Sequence, residues 1–119
     1  MKIAVSSQGT DLDSQVDPRF GRAAYLLIID TVSSEIEVID NAENLNAFKG
    51  AGIQAAALVS DSGAEVLLTG FCGPNAFKTL QAAGVKVAND VTGTVRDALK
   101  ALKEGSVSFA DDANVEGQW

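Results

Sequence analysis

A mixed α/β sheet with helices on both faces is the fold class this sequence predicts, and two observations carry the prediction. Near the N-terminus two strand-like runs, "AYLLIID" and "EIEVID", are separated only by "TVSS", as an antiparallel hairpin requires. Beyond residue 50, helical and strand-like periods alternate, with a glycine-bearing turn before each helix, as in parallel strands joined by right-handed helical crossovers.

The elements follow in order. "KIAVSS" reads as a short buried strand with Ile3 and Val5 on one face. "SQGTDLDSQVDPRFG" is a long loop rich in Gly, Ser and Asp, and loops of this length inside a compact domain tend to be functional or mobile. The second hairpin strand sets Ile36, Val38 and Asp40 against Glu35, Glu37 and Ile39, an alternation that predicts one buried and one wet face. After the polar stretch "NAENLNAFKG", the segment "AGIQAAALVSDSG" carries Ile53, Ala56, Ala57 and Ser60 at helical spacing and stops at Gly63. "AEVLLTG" is a continuous apolar run, typical of a central strand covered on both faces. "GPNAFKTLQAAG" has Pro74 at a helix start, Phe77 and Leu80 one turn apart and Gly84 as a stop; the short strand "VKVA" follows. In "TGTVRDALKALKEG", Thr92 or Thr94 caps a helix that places Val95, Ala98, Leu99 and Leu102 on one face. The order is β-β-β-α-β-α-β-α, a five-stranded mixed sheet in one domain over residues 1–105. Residues 106–119, "SVSFADDANVEGQW", lack a clear period and are expected to form an acidic, mobile tail.

Composition narrows the function. A chain of 119 residues supports one core, and 46% hydrophobic with 21% charged residues is the balance of a folded soluble protein. No apolar run approaches the ~20 residues of a membrane helix, and "MKIAVSS" does not read as a secretion signal, so a cytoplasmic location without a membrane partner is expected. A net charge of −7 disfavours nucleic acid, whose phosphates it would repel. One cysteine and no histidine rule out an internal disulfide, a four-ligand metal site within one chain, Ser-His-Asp triads and Cys-His dyads.

In an open α/β sheet, ligands collect beyond the carboxyl ends of the strands, beside the following helix starts. The sequence puts Lys49, Gly50 and Gly52 at the first such turn, Gly70, Gly73 and Asn75 at the second, and Gly93 and Thr94 at the third. Glycine lets a ligand approach the backbone, and helix N-termini offer N–H groups to an anion. Taken singly, each glycine is equally an ordinary tight turn, and no phosphate-loop motif is present: "KGAGIQAA" lacks the third glycine of the dinucleotide fingerprint. The loop "VDPRFGRA" differs because Arg19 and Arg22 bring whole charges; the alternative is that they pair with Asp13, Asp17 or Asp30. Cys72, next to a helix start, reads either as a stabilised thiolate able to ligate a soft metal or as a core filler, and both readings stay open.

Together, "VDPRFGRA", "GAGIQAAALVSDSGAEVLLTGFCGPNAFKTLQAAGVKV" and "TVRDALKALKEG" resemble the dinitrogenase iron-molybdenum cofactor biosynthesis family across roughly residues 2 to 105. The resemblance implies a ribonuclease H-like fold and a non-enzymatic role: binding or carrying an anionic metal-sulfur cluster, either of the iron-molybdenum type or a molybdenum-copper sulfide as in a small stand-alone member. It maps onto Arg19, Phe20, Gly21 and Arg22, onto Gly50, Ala51 and Gly52, and onto Gly70, Gly73, Pro74 and Asn75. Some relatives attach their cofactor through histidine; this chain has none, which leaves electrostatic capture. Arg19, Arg22 and Lys49 would supply the positive charge, Thr94 a further helix start and Cys72 an optional metal ligand. Sulfides of a thiometallate accept hydrogen bonds, so N–H groups and guanidinium groups can hold such a cluster without a covalent anchor. The implied partners are the cluster and a protein that donates or accepts it. A second reading is a scaffold or regulatory domain that binds a protein through its sheet edge or acidic tail, with Trp119 as anchor. A weaker third is a phosphoester enzyme, for which Asp30, Asp40 and Asp90 show no converging spacing.

Overall fold

The computed structural model describes residues 1–41 and 50–110. Strands β1 (Lys2–Ser7), β2 (Tyr25–Asp30), β3 (Ile36–Asp40), β4 (Val66–Leu68) and β5 (Lys86–Ala88) form one sheet ordered β3-β2-β1-β4-β5. β1–β2 and β2–β3 are antiparallel, with Ile29 opposite Ile36 and Tyr25 opposite Asp40. β1–β4 and β4–β5 are parallel, with Ile3 beside Val66 and Val66 beside Lys86. Three helices complete the described residues: α1 (Ala51–Asp61), α2 (Pro74–Ala82) and α3 (Val95–Lys103). The element order is the one the sequence periods predict.

The period-2 pattern of the strands divides the core in two. Ala4, Leu26, Ile28, Leu67 and Val87 face α1 and α2, meeting Ala55, Ala56 and Val59 from the first helix and Ala76, Phe77 and Leu80 from the second. On the opposite face Ile3, Val5, Leu27, Ile29, Val66 and Leu68 pack with Val95 and Ala98 of α3. β1, β2 and β4 are therefore apolar on both sides, and each fully buried Leu, Ile or Val contributes about 1.5–3 kcal/mol.

Three details differ from expectation. Ile36 and Val38 remain 38% and 43% exposed: they point to the α3 face, which carries a single helix among the described residues, and Ile39 is instead the β3 residue packed against the α1–α2 core. In α1 the buried face is Ala51, Gly52, Ala55, Ala56 and Val59, while Ile53 is 46% exposed. Small residues turn inward because the helix start is pressed onto another stretch of backbone, which leaves no room for a branched side chain. The ordered domain also runs past residue 105. Phe109 bridges Ala88, the Ala110 N–H donates to the Val87 carbonyl at 2.7 Å, and Lys86 Nζ sits 5.5 Å over the Phe109 ring, so Phe109 and Ala110 lie along the β5 edge. The rest of the acidic segment, with Trp119, lies outside the described residues. Among the described residues no helix is long and apolar enough to cross a membrane.

Candidate functional site

The arginine loop leaves β1 and returns over the carboxyl ends of the parallel strands, where backbone groups need new partners. The Asp17 N–H donates to the Ser6 carbonyl at 2.9 Å, and the Ser6 hydroxyl donates to the Asp17 carbonyl at 2.7 Å. With its proton so used, Ser6 Oγ accepts from Thr69 Oγ1 at 2.8 Å, a buried link to the end of β4. Asp17 is itself buried; its carboxylate accepts the N–H groups of Arg19 at 3.1 Å and Ala24 at 3.4 Å. Phe20, 1% exposed, anchors the loop in the α1–α2 core. The Phe20 N–H donates to the Phe71 carbonyl at 3.1 Å and the Phe71 N–H to the Pro18 carbonyl at 2.6 Å, zipping the loop to the β4–α2 turn. Gly21 meets the start of α1: a Cβ there would lie 2.7 Å from the Gly52 Cα, a distance only glycine permits.

The helix starts differ in a way that matters for charge. α1 begins at Gly50 in the left-handed region (φ 81°) and α2 at Gly73; neither has a side-chain cap or an acidic residue in its first turn. Among the described residues no side chain caps either start, although Ala51 and Gly52 are themselves buried against Gly21. α3 begins with a capping box: Thr94 Oγ1 accepts the Asp97 N–H at 3.1 Å, and the Asp97 carboxylate accepts the Thr94 N–H at 3.2 Å. That carboxylate, held below its ordinary range by the Thr94 hydrogen bonds, already supplies the negative charge a helix start favours.

The structure thus brings together Arg19, Phe20, Gly21 and Arg22, the α1 start at Gly50, Ala51 and Gly52, and the turn through Gly70, Gly73, Pro74 and Asn75. Thr94 meets the same loop farther upstream, through a backbone bridge to Gln15, with its side chain committed to the cap of α3. Lys49 lies outside the described residues. Cys72 is fully buried in the α1–α2 core, with Sγ 3.7 Å from the Gly73 carbonyl. Burial pushes its thiol up to about 12, so desolvation outweighs the nearby helix start and the group stands as a protonated core thiol. Of the carboxylates considered for the arginines, Asp17 lies 3.8 Å from Arg19 Nε, whose side chain is half exposed; Asp13 pairs with Arg96 at 3.1 Å, and Asp30 accepts the Val32 and Ser33 N–H groups. Among the described residues no three His, Cys, Asp or Glu side chains group as they would around a metal ion.

Sequence periodicity does not identify Ser6, Asp17, Asn41 or Thr69 as site residues. All four are buried polar groups with hydrogen bonds to loop backbone or to each other. The one available signal is position: Ser6, Asn41 and Thr69 stand at or just past the ends of strands.

A five-stranded α/β domain whose polar turns gather at the carboxyl end of its parallel strands is the class that fold and site define. The chain belongs to the dinitrogenase iron-molybdenum cofactor family, whose model matches residues 1–105. It is similar to the apo form of the orange protein from Desulfovibrio gigas, with 46% identity, 96% of each chain covered and a TM-score of 0.93. A Thermotoga protein provisionally assigned as NifB and placed in the DUF35 family is 39% identical over 98% of each chain, with a TM-score of 0.84. A protein from Methanocaldococcus jannaschii, provisionally assigned as a dinitrogenase, shares 17% identity over 94% of this chain and 96% of its own; its TM-score of 0.68 speaks for the fold alone. No curated protein matches.

Proposed function

We propose that the protein binds or carries an anionic, molybdenum-containing metal-sulfur cluster, with a molybdenum-copper sulfide as the leading candidate, and that it does so as a carrier without catalytic turnover. The observation that carries this reading is the convergence of the arginine loop with two helix starts that have no side-chain caps. Such a rim offers N–H donors and guanidinium charge to a polyanion whose sulfides accept hydrogen bonds. Family membership and the likeness to the orange protein favour a cluster over a phosphate ester. The residues fit capture by hydrogen bonds and charge; they do not fit direct ligation by Cys72, whose thiol is buried and protonated. In this reading the cluster is cargo, handed over by or to another protein in the cytoplasm.

The test is reconstitution. Apo-protein mixed with tetrathiomolybdate and a copper(I) salt is expected to gain a visible charge-transfer absorption that stays with the protein through gel filtration. The Arg19→Ala, Arg22→Ala double variant is expected to lose most of it, at least tenfold in apparent affinity. Failure of the wild type to retain colour, or an undiminished band in the folded double variant, would count against the proposal.

A further inference from the structure

One buried side chain, Asn41, is hydrogen-bonded along the loop that carries the arginines. It follows β3 directly and is 1% exposed. Its Nδ2 donates to the carbonyls of Gly21 at 3.2 Å and Ala23 at 2.9 Å, and its backbone N–H donates to the Ala24 carbonyl at 3.1 Å. Three carbonyls within four consecutive residues are thus held by a single residue. The amide orientation follows from chemistry, since only the NH₂ end can serve two carbonyl oxygens.

A trans peptide sends its C=O and N–H in opposite directions. With the Ala23 carbonyl drawn to Asn41, the Ala24 N–H must point away, and it meets the Asp17 carboxylate at 3.4 Å. The same rule at the Gly21–Arg22 peptide turns the Gly21 lone pairs toward Asn41 and the Arg22 N–H away from it. Gly21 has no Cβ of its own to oppose a peptide flip, and a carbonyl released from Asn41 and turned outward would repel a sulfide polyanion.

We infer that Asn41 is a positioning residue for cluster capture: by holding the Gly21 and Ala23 carbonyls it fixes the arginine loop in the peptide orientation that suits an anion. The inference rests on the cluster-binding reading above. Asn41→Asp tests it, since the side chain keeps its shape while its two donors become an acceptor. Both proteins are titrated with tetrathiomolybdate and copper(I), and apparent affinity and visible circular dichroism are read per mole of folded protein. The expected result is a folded variant whose affinity falls tenfold or more and whose residual band has an altered visible dichroism. A merely structural role for Asn41 would lower thermal stability but leave affinity and dichroism of the folded fraction at wild-type values, and that result overturns the inference. If the aspartate variant does not fold, Asn41→Ser, uncharged and limited to one donated bond, is read by the same criteria. A wild type that retains no colour overturns the cluster reading and this inference with it; a coloured wild type with an unchanged variant overturns this inference alone.

Discussion

Cys72 shows how one residue's surroundings decide its chemistry. At the amino end of a helix a thiol is ordinarily drawn toward its thiolate, but here the side chain lies inside the α1–α2 core and burial pushes it up to about 12. The sign of the linkage follows. A thiol whose folded pKa is raised contributes stability that is fully present below the unfolded value of 9.0 and is lost as pH climbs toward about 12. Wild type and Cys72→Ala, compared by urea midpoint from pH 7 to 11, should therefore differ most at neutral pH, where Cys72 also fills its cavity. The gap should narrow steadily above pH 9. Parallel curves would show that the thiol titrates in the folded protein as it does in the unfolded chain. Gly21 makes the complementary point by what it lacks: the 2.7 Å that a Cβ would leave to the Gly52 backbone ties the arginine loop to α1.

Among the elements, the contrast between capped and uncapped helices has a direct consequence. Thr94 stabilises α3 by accepting the Asp97 N–H, whereas α1 and α2 begin on glycines with nothing comparable. Thr94→Ala should cost about 1 kcal/mol in chemical denaturation, the usual value of a lost N-cap. Cluster uptake by the folded variant should stay at the wild-type level, because the α3 start serves its own helix; a large loss of uptake would place Thr94 in the site after all. Most elements were legible from the sequence, because strand alternation, the Pro74 and Thr94 starts and the apolar stripe of α3 are local signals. The inward face of α1 was not. Its period favours Ile53, yet the start of the helix is held by a backbone contact between Gly52 and the distant Gly21, which no single-segment period contains. The outward Ile36 and Val38 fail for a related reason, since alternation marks a face but not how many helices cover it. At the site, glycines and arginines announce themselves, while Ser6, Asp17, Asn41 and Thr69 matter through long-range hydrogen bonds with no sequence period.

For the whole molecule the difficulty is that an anion must approach a chain of net charge −7. Distance and screening resolve it. The folded body measures 34 × 28 × 24 Å, comparable to the ~30 Å Debye length at 0.01 M salt, so at low ionic strength nearly every carboxylate acts on an incoming dianion. At 0.15 M the screening length is ~8 Å, and only groups around the site are still felt. Arg19, its ion-pair partner Asp17, Asp40 opposite Tyr25 and the uncapped starts of α1 and α2 are among those groups, whereas Asp30 and Glu35 lie at the hairpin turn, at the opposite end of the β2–β3 pair from the arginine loop. Raising salt therefore removes long-range repulsion before it weakens contact attraction. Affinity for tetrathiomolybdate should increase, on the order of tenfold, between 0.01 and 0.15 M salt, and decline again toward 1 M as the contacts themselves are screened. Isothermal titration across that range reads the curve directly. A monotonic fall from the lowest salt would mean that local cations outweigh the acidic remainder at every distance. A flat profile would mean that charge contributes little and that neutral N–H donors alone hold the anion.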